Sequence, residues 1–261
     1  MGLVRIVFRQ AKDFERIYNI THSLGMPVTI LPEEDRILTI GVDDPKVVGV
    51  RISIPESDLL EYEYDSDFIS KPKAHRIIAL DHKTLKPIMK KAKKSEPLTI
   101  ELLENGMVKV EVGEKRKTRI KVAPLNVDFI EIPENAFDQE FGGTLKIYGK
   151  LLKDVLSVIR DVSGEIRIKV LEEALKFEGA NDVADLDIEV PYDDPTIVEA
   201  EADIGTTGLY GVGFLLSVMK AIDNSDIITM EFGEEQPLKL DIPLGENGVF
   251  TVIIAPRVDL E

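Results

Sequence analysis

The sequence predicts an α+β protein built from two similar halves. Two observations predict it: the chain matches itself twice in the same order, and each match carries strand-sized and helix-spaced apolar patterns. At an offset of 130 positions, Met89 to Leu102 (MKKAKKSEPLTIEL) lies over Met219 to Phe232 (MKAIDNSDIITMEF). At an offset of 141, Val4 to Phe14 (VRIVFRQAKDF) lies over Leu145 to Val155 (LKIYGKLLKDV). A repeat of this length marks a duplicated supersecondary unit.

Each half opens with an alternating strand such as Arg5-Ile6-Val7-Phe8, followed by apolar residues at helical spacing. In the first half the helix is expected over Ala11 to Leu24, with Phe14, Ile17, Ile20 and Leu24 on one face. In the second it is expected over Leu151 to Val162, with Val155, Val158, Ile159 and Val162 inward. Strands follow at Val28 to Leu31, Ile37 to Val42 and Val47 to Ile54. A second helix, roughly Lys83 to Lys94, precedes strands at Leu98 to Leu103, Met107 to Val112 and Thr118 to Val122, with turn signals such as Glu104-Asn105-Gly106 between them. Strand, helix and strands recur twice per half, giving four similar units. Units that leave a sheet edge uncovered tend to close or stack, and a ring closes them.

Composition narrows the function classes. With 44% hydrophobic and 31% charged residues and no low-complexity stretch, the whole chain is expected to fold. No apolar stretch approaches a membrane span, and the N-terminus MGLVRIVFRQ lacks a signal-peptide layout, so a cytoplasmic protein is expected. The absence of cysteine removes disulfides, thiolate metal sites and cysteine nucleophiles. A net charge of -16 has the wrong sign for a protein that grips nucleic acid with its whole surface. The placement of the cations therefore matters more than their total.

The second helix of the first half carries Lys83, Lys86, Lys90, Lys91, Lys93 and Lys94. Leu85, Ile88, Met89 and Ala92 form its inward stripe, so Lys83, Lys86, Lys90 and Lys94 fall largely opposite. Pro87 is tolerable if that helix begins near Lys83. The helix before it adds Lys12 and Arg16, and the equivalent helices of the second half add Lys150, Lys153, Arg160 and Lys220. Neither basic face is interleaved with exposed aromatics, so contact with backbone phosphates is expected rather than base reading.

The C-terminal run Glu231 to Leu240 (EFGEEQPLKL) with Ile253 to Val258 (IIAPRV), the loop Val42-Asp43-Asp44-Pro45-Lys46-Val47, and Val127 to Glu134 (VDFIEIPE) together resemble the sliding clamps of archaea and eukaryotes, the proliferating cell nuclear antigen family. The resemblance covers essentially the whole chain. It implies a DNA clamp fold: an N-terminal clamp domain over 1–117, a connector over 118–134 and a C-terminal clamp domain over 135–261. It also implies a trimeric, pseudo-sixfold ring, helices inside and antiparallel sheets outside, with duplex DNA through the hole. The expected partners are then DNA polymerase, a clamp loader, a flap endonuclease and DNA ligase, in a homo- or heterotrimer without cofactor.

A ring of three needs head-to-tail joints. The basic edge Lys115 to Lys121 (KRKTRIK), with Lys115, Arg116, Lys117 and Arg119, is expected to meet the acidic Phe177 to Asp187 (FEGANDVADLD), with Phe177, Glu178, Asp182 and Asp185. By the resemblance, Val42, Lys46, Val47, Pro124, Leu125, Val127, Pro237, Ile253, Ala255 and Pro256 line an apolar groove for short client motifs. Ile253 stands where relatives commonly carry an aromatic residue.

Catalytic readings find little support. His22, His75 and His82 have no metal-ligand spacing, and no G-x-x-x-x-G-K-[ST] loop exists. Asp43-Asp44 and Asp193-Asp194 are the expected outcome of 48 acidic residues, which leaves a metal-dependent nuclease as a remote alternative and a catalytic or metal site unexpected. A dedicated subunit of a mixed or checkpoint-type clamp shares the fold and differs only in clients.

Overall fold

The computed structural model describes residues 2–128, 132, 137 and 139–257. They form two compact units. The first comprises Met1–Asp44, Val50–Ile132 and Leu244–Val249, and the second Pro45–Gly49, Pro133–Pro243 and Phe250–Glu261. The linear halves thus exchange two short segments.

The first half runs β1 (Gly2–Phe8), α1 (Ala11–Ser23), β2 (Val28–Pro32), β3 (Arg36–Val42), β4 (Val48–Pro55), β5 (Leu59–Tyr64), α2 (Ser66–Ile69), β6 (Ile78–Leu80), α3 (His82–Met89), β7 (Leu98–Leu103), β8 (Val108–Val112) and β9 (Thr118–Val122). The second runs β10 (Gly143–Tyr148), α4 (Gly149–Ile159), β11 (Glu165–Val170), β12 (Ala174–Ala180), β13 (Asp185–Pro191), β14 (Ile197–Ala202), β15 (Thr207–Gly211), α5 (Val212–Val218), β16 (Ile227–Phe232), β17 (Leu238–Leu244) and β18 (Gly248–Ile254). The spatial orders repeat strand for strand. In the first half they are β5-β1-β7-β8-β9 and β6-β2-β3-β4; in the second, β14-β10-β16-β17-β18 and β15-β11-β12-β13.

The helices repeat down to their first hydrogen bonds. Neither Gln10 before α1 nor Tyr148 before α4 caps its helix with a side chain. The loop after the other helix of each unit supplies carbonyls instead. Ala11 N–H donates to Glu96 C=O at 2.7 Å and Lys12 N–H to Lys94 C=O at 3.1 Å. Gly149 N–H donates to Asp226 C=O at 2.8 Å and Lys150 N–H to Asn224 C=O at 3.1 Å. These bonds satisfy amides that a helix start otherwise leaves without partners. At the far end of α1, Gly25 takes φ 72° and Met26 N–H reaches back to Thr21 C=O at 2.8 Å, a Schellman-type stop that favours glycine.

Packing explains which faces turn inward. Phe14, Ile17 and Ile20 of α1 are buried, and the Phe14 ring lies 5.4 Å from Phe8 of β1. Truncating such a phenylalanine to alanine costs about 3–5 kcal/mol. In α4 the buried set is Leu151, Leu152, Val155, Leu156 and Ile159. Val158, expected inward, is 46% exposed, because a helix beginning at Gly149 turns the 152/155/156/159 face to the sheet.

Two further expectations change. The helix expected over Lys83 to Lys94 stops at Met89, with Lys90 as its C-cap. Pro87 sits at its sixth position, beyond the first turn, where it removes the amide that would bond Lys83 C=O, so the helix closes within a turn. The connector expected over 118–134 opens as strand β9, paired with β8 from Val112↔Thr118 to Val108↔Val122. Of that expected connector, residues 129–131, 133 and 134 lie outside the described residues, as does Val258 of the C-terminal run.

Candidate nucleic-acid and partner interfaces

In the first unit α1 packs against α3, and in the second α4 packs against α5. Leu85 and Ile88 bury the inner side of α3, and its exposed side presents Lys83 and Lys86, with Lys90 and Lys91 just beyond the last turn. Among the described residues these four lysines make no ion pair. Lys94, by contrast, lies 3.5 Å from Glu15, and Lys12 and Arg16 are half-buried on α1. Burial raises the Asp13 carboxyl above its ordinary value, against the opposing pull of Arg16 and Lys12 beside it.

The second unit offers fewer free cations. Lys153 donates to the Ile222 carbonyl and, at 3.1 Å, to Asn224 Oδ1, so it ties down the turn after α5. Arg160 lies 3.5 Å from Asp161, and Lys150 acts electrostatically on Asp194. Lys220 is exposed and without an ion pair among the described residues.

A cluster that sequence reasoning passed over joins α1 to α3. The His22 and His82 rings lie 4.9 Å apart, and Tyr18 lies 4.9 Å from His82. His82 Nε2 is 3.0 Å from Thr21 Oγ1 and 3.2 Å from Tyr18 C=O. Burial, followed by the neighbouring His22, pushes the His82 imidazole below its ordinary value. Only the fold brings residues 60 positions apart together here.

The expected groove residues fall into two groups. In the first unit, Leu125 N–H donates to Ala79 C=O of β6 at 2.8 Å, fixing the backbone while the side chain stays 43% exposed. Val42 and Val127 line a 320 Å³ pocket with Met26, Leu31, Ile40 and Ile77. Pro124 lies beside Leu125, outside that lining. Met26 and Ile77 were not expected; each lies next to an element end, where apolar periodicity reads poorly. In the second unit, Ala255 N–H donates to Val47 C=O at 2.9 Å, which joins the surface loop to the C-terminal run carrying Ile253 and Pro256. Lys46 takes φ 59° on that loop, and Pro237 precedes β17, half-exposed.

The two expected joint surfaces are both sheet edges. β9 ends one sheet and β13 ends another. Lys115, Arg116 and Lys117 are exposed in the turn before β9, and Arg119 is exposed on it. Burial would raise the Glu111 carboxyl, but Lys117 and Arg119 beside it hold it below the usual range. On the other edge Asp182 and Asp185 are exposed, and Glu178 pairs with Lys169 and Lys176 on the sheet surface. Phe177 belongs to a different place. It is fully buried, because on β12 it alternates inward with Leu175 while Glu178 points out.

No model of a known protein family matches the chain. Curated relatives match it end to end. The DNA polymerase sliding clamp of Pyrococcus horikoshii is 24% identical over 254 residues, covering 97% of this chain and 98% of that protein. The DNA polymerase sliding clamp of Pyrococcus furiosus is 25% identical over 259 residues, with the same coverage. The chain is thus similar to DNA polymerase sliding clamps over nearly its whole length. Solved structures show the clamp fold independently. A proliferating cell nuclear antigen from Thermococcus kodakaraensis superposes with a TM-score of 0.86 at 22% identity, covering 97% of this chain and all of that one. The PCNA2-PCNA3 complex of Sulfolobus tokodaii gives 0.83 at 22% identity over 98% of this chain. An A. fulgidus clamp bound to the C-terminal region of FEN-1 gives 0.82 at 17% identity over 99%. Among the described residues no helix is long and apolar enough to cross a membrane.

Proposed function

We propose that this chain is a subunit of a trimeric ring that encircles duplex DNA. The ring tethers DNA polymerase and other replication and repair enzymes as a non-enzymatic processivity factor. The observation that carries the reading is the group of exposed lysines without ion pairs among the described residues, Lys83, Lys86, Lys90 and Lys91, on and just beyond α3 in a chain of net charge -16 that matches sliding clamps over 97% of its length. In this reading α1, α3, α4 and α5 of three subunits line the hole. Lysine contacts to phosphates carry no sequence information and pin no register, which suits a sliding ring. Retention is topological, so the affinity of any one contact stays low.

The groove residues on the connector, the surface loop and the C-terminal run receive short apolar motifs of clients, among them a clamp loader, a flap endonuclease and DNA ligase. Exposed Leu125, two residues before Val127, and the apolar pocket that Val127 lines with Val42 support that docking role. In this reading the ring works in the cytoplasm.

Retention after loading tests the reading. On covalently closed circular DNA the ring is expected to survive a high-salt wash, and on the same DNA cut once it is expected to slide off. Equal loss from both substrates refutes a topological tether.

A further inference from the structure

The two units pair equivalent strands, yet one cleft is filled in the first and open in the second. In the first unit Tyr62 and Tyr64 of edge strand β5 lie opposite Ile6 and Val4 of β1, both buried, and so face inward. The two rings are 5.4 Å apart, and the Tyr62 hydroxyl donates to Glu33 C=O in the turn between β2 and β3. Arg76 Nη1 donates to the neighbouring Pro32 C=O at 2.7 Å. The connection from β5 to β6, residues 65–77, also buries Phe68 and Ile69.

The offset of 141 carries Val4 to Leu145 and Ile6 to Ile147. The counterparts of Tyr64 and Tyr62 are therefore Ala200 and Ile197 on edge strand β14. The connection from β14 to β15 is only residues 203–206. Shorter side chains and a shorter connection leave a 310 Å³ pocket, lined by Ile197, Ala200 and Ala202 from β14 and by Val170 and Leu171 at the end of β11. Two more of its lining residues stand in water, Val198 at 48% exposure and Ile204 at 71%. Large apolar side chains exposed together beside an apolar cleft mark a contact surface.

The charges around the pocket define what fits it. Along β14 the inward residues alternate with Glu199 and Glu201, which lie opposite Lys146 and Thr144 on the other face. Glu172 lines the pocket, Glu173 follows it, and Asp203 follows β14; all three are exposed and make no ion pair among the described residues. An open strand edge accepts an extended segment through its main chain, and alternate side chains of that segment take the two faces. Aromatic residues on one face and lysine or arginine on the other match β14, with apolar space inside and carboxylates outside. Strand β5 shows that tyrosines at every second position suit such a cleft.

We propose that β14 and its pocket form a second docking site for client proteins, one that takes an extended segment alternating aromatic and cationic residues. The proposal rests on the tether reading and adds a contact made by the second unit alone.

The probe is a fluorescent peptide, acetyl-KYKYKYK-amide, with KAKAKAK and EYEYEYE as controls, in about 0.15 M salt and without DNA. The wild-type chain is expected to bind it about tenfold or more tightly than either control by anisotropy. Ala200→Tyr, which gives β14 the side chain that β5 carries at Tyr64, is expected to fill the pocket and weaken binding about tenfold. Ile204→Ser alters only an exposed turn residue and is expected to weaken binding severalfold with an unchanged circular dichroism spectrum. A probe that binds no better than KAKAKAK, or whose affinity survives both substitutions, overturns the proposal. Self-association of the chain that both substitutions abolish, with the probe ignored, gives the edge to a second copy and overturns it too. Retention of the wild-type ring on closed circular DNA is scored separately. Rings that stay on while the probe fails to bind overturn this site and keep the tether, and rings that leave intact circles overturn the tether whatever the probe does.

Discussion

Replacing Lys86 and Lys90 by alanine tests which cations meet DNA. Both are exposed and free of ion pairs among the described residues, whereas Lys94 is engaged by Glu15 and Lys153 by Ile222 and Asn224. Each phosphate contact contributes about 0.9 to the slope of log affinity against log salt. A ring of three carries six such lysines, and a helical duplex passing through it meets only some of them at once. Losing two contacts lowers the slope by about 1.8, which over a fourfold change from about 50 to 200 mM salt removes roughly tenfold of the salt sensitivity. Lys94→Ala with Lys153→Ala changes the slope little, since those side chains are held by the protein. Fluorescence anisotropy of a labelled duplex across that salt range measures both variants. Equal slope changes in the two variants refute the idea that engagement by the protein's own groups decides which lysines contact DNA.

Asp58 accepts from the amides of Glu246 at 3.0 Å, Asn247 at 2.7 Å and Gly248 at 2.9 Å, and from Asn247 Nδ2 at 2.8 Å. Because the site is solvent-accessible, Asp58→Ala is expected to cost only about 1–2 kcal/mol, with faster hydrogen exchange at 246–248 as the local readout. Burial alone would raise the Asp58 carboxyl, but these donors lower it below its ordinary 3.8. Its stabilisation is therefore complete above that value and disappears as pH falls through the depressed one, a trend that calorimetry checks and Asp58→Ala removes. His82 has the opposite dependence on its charged form. With Tyr18, His22, Thr21 and Asp81 around it and its imidazole shifted down, the fold favours the neutral ring. Stability of the first unit is expected to fall as pH drops below about 6.5, and His82→Gln flattens that melting curve. For the client groove, Leu125→Ala combined with Ile253→Ala is expected to weaken a client peptide at least tenfold by calorimetry, about 1.4 kcal/mol or more. The Leu125 N–H bond to Ala79 is a backbone contact, so the connector keeps its anchor.

The sequence by itself determined the duplication, the element order and the core faces of α1 and most strands, because periodicity and turn residues are local signals. It also placed the cations on helices, since thirteen residues of α1 suffice to divide an apolar stripe from a charged one. Local pattern misjudged the length of α3, where Pro87 withdraws one amide, and the inward residue of α4, where Val158 sits one helical step off the buried face. Which lysines remain free was decided by tertiary structure alone, because Glu15 and Asn224 reach Lys94 and Lys153 from distant positions. The same holds for the Tyr18-His22-His82 cluster and the nest around Asp58. Such contacts depend on sequence separations that periodicity does not encode, so they appear only when the strands are in register.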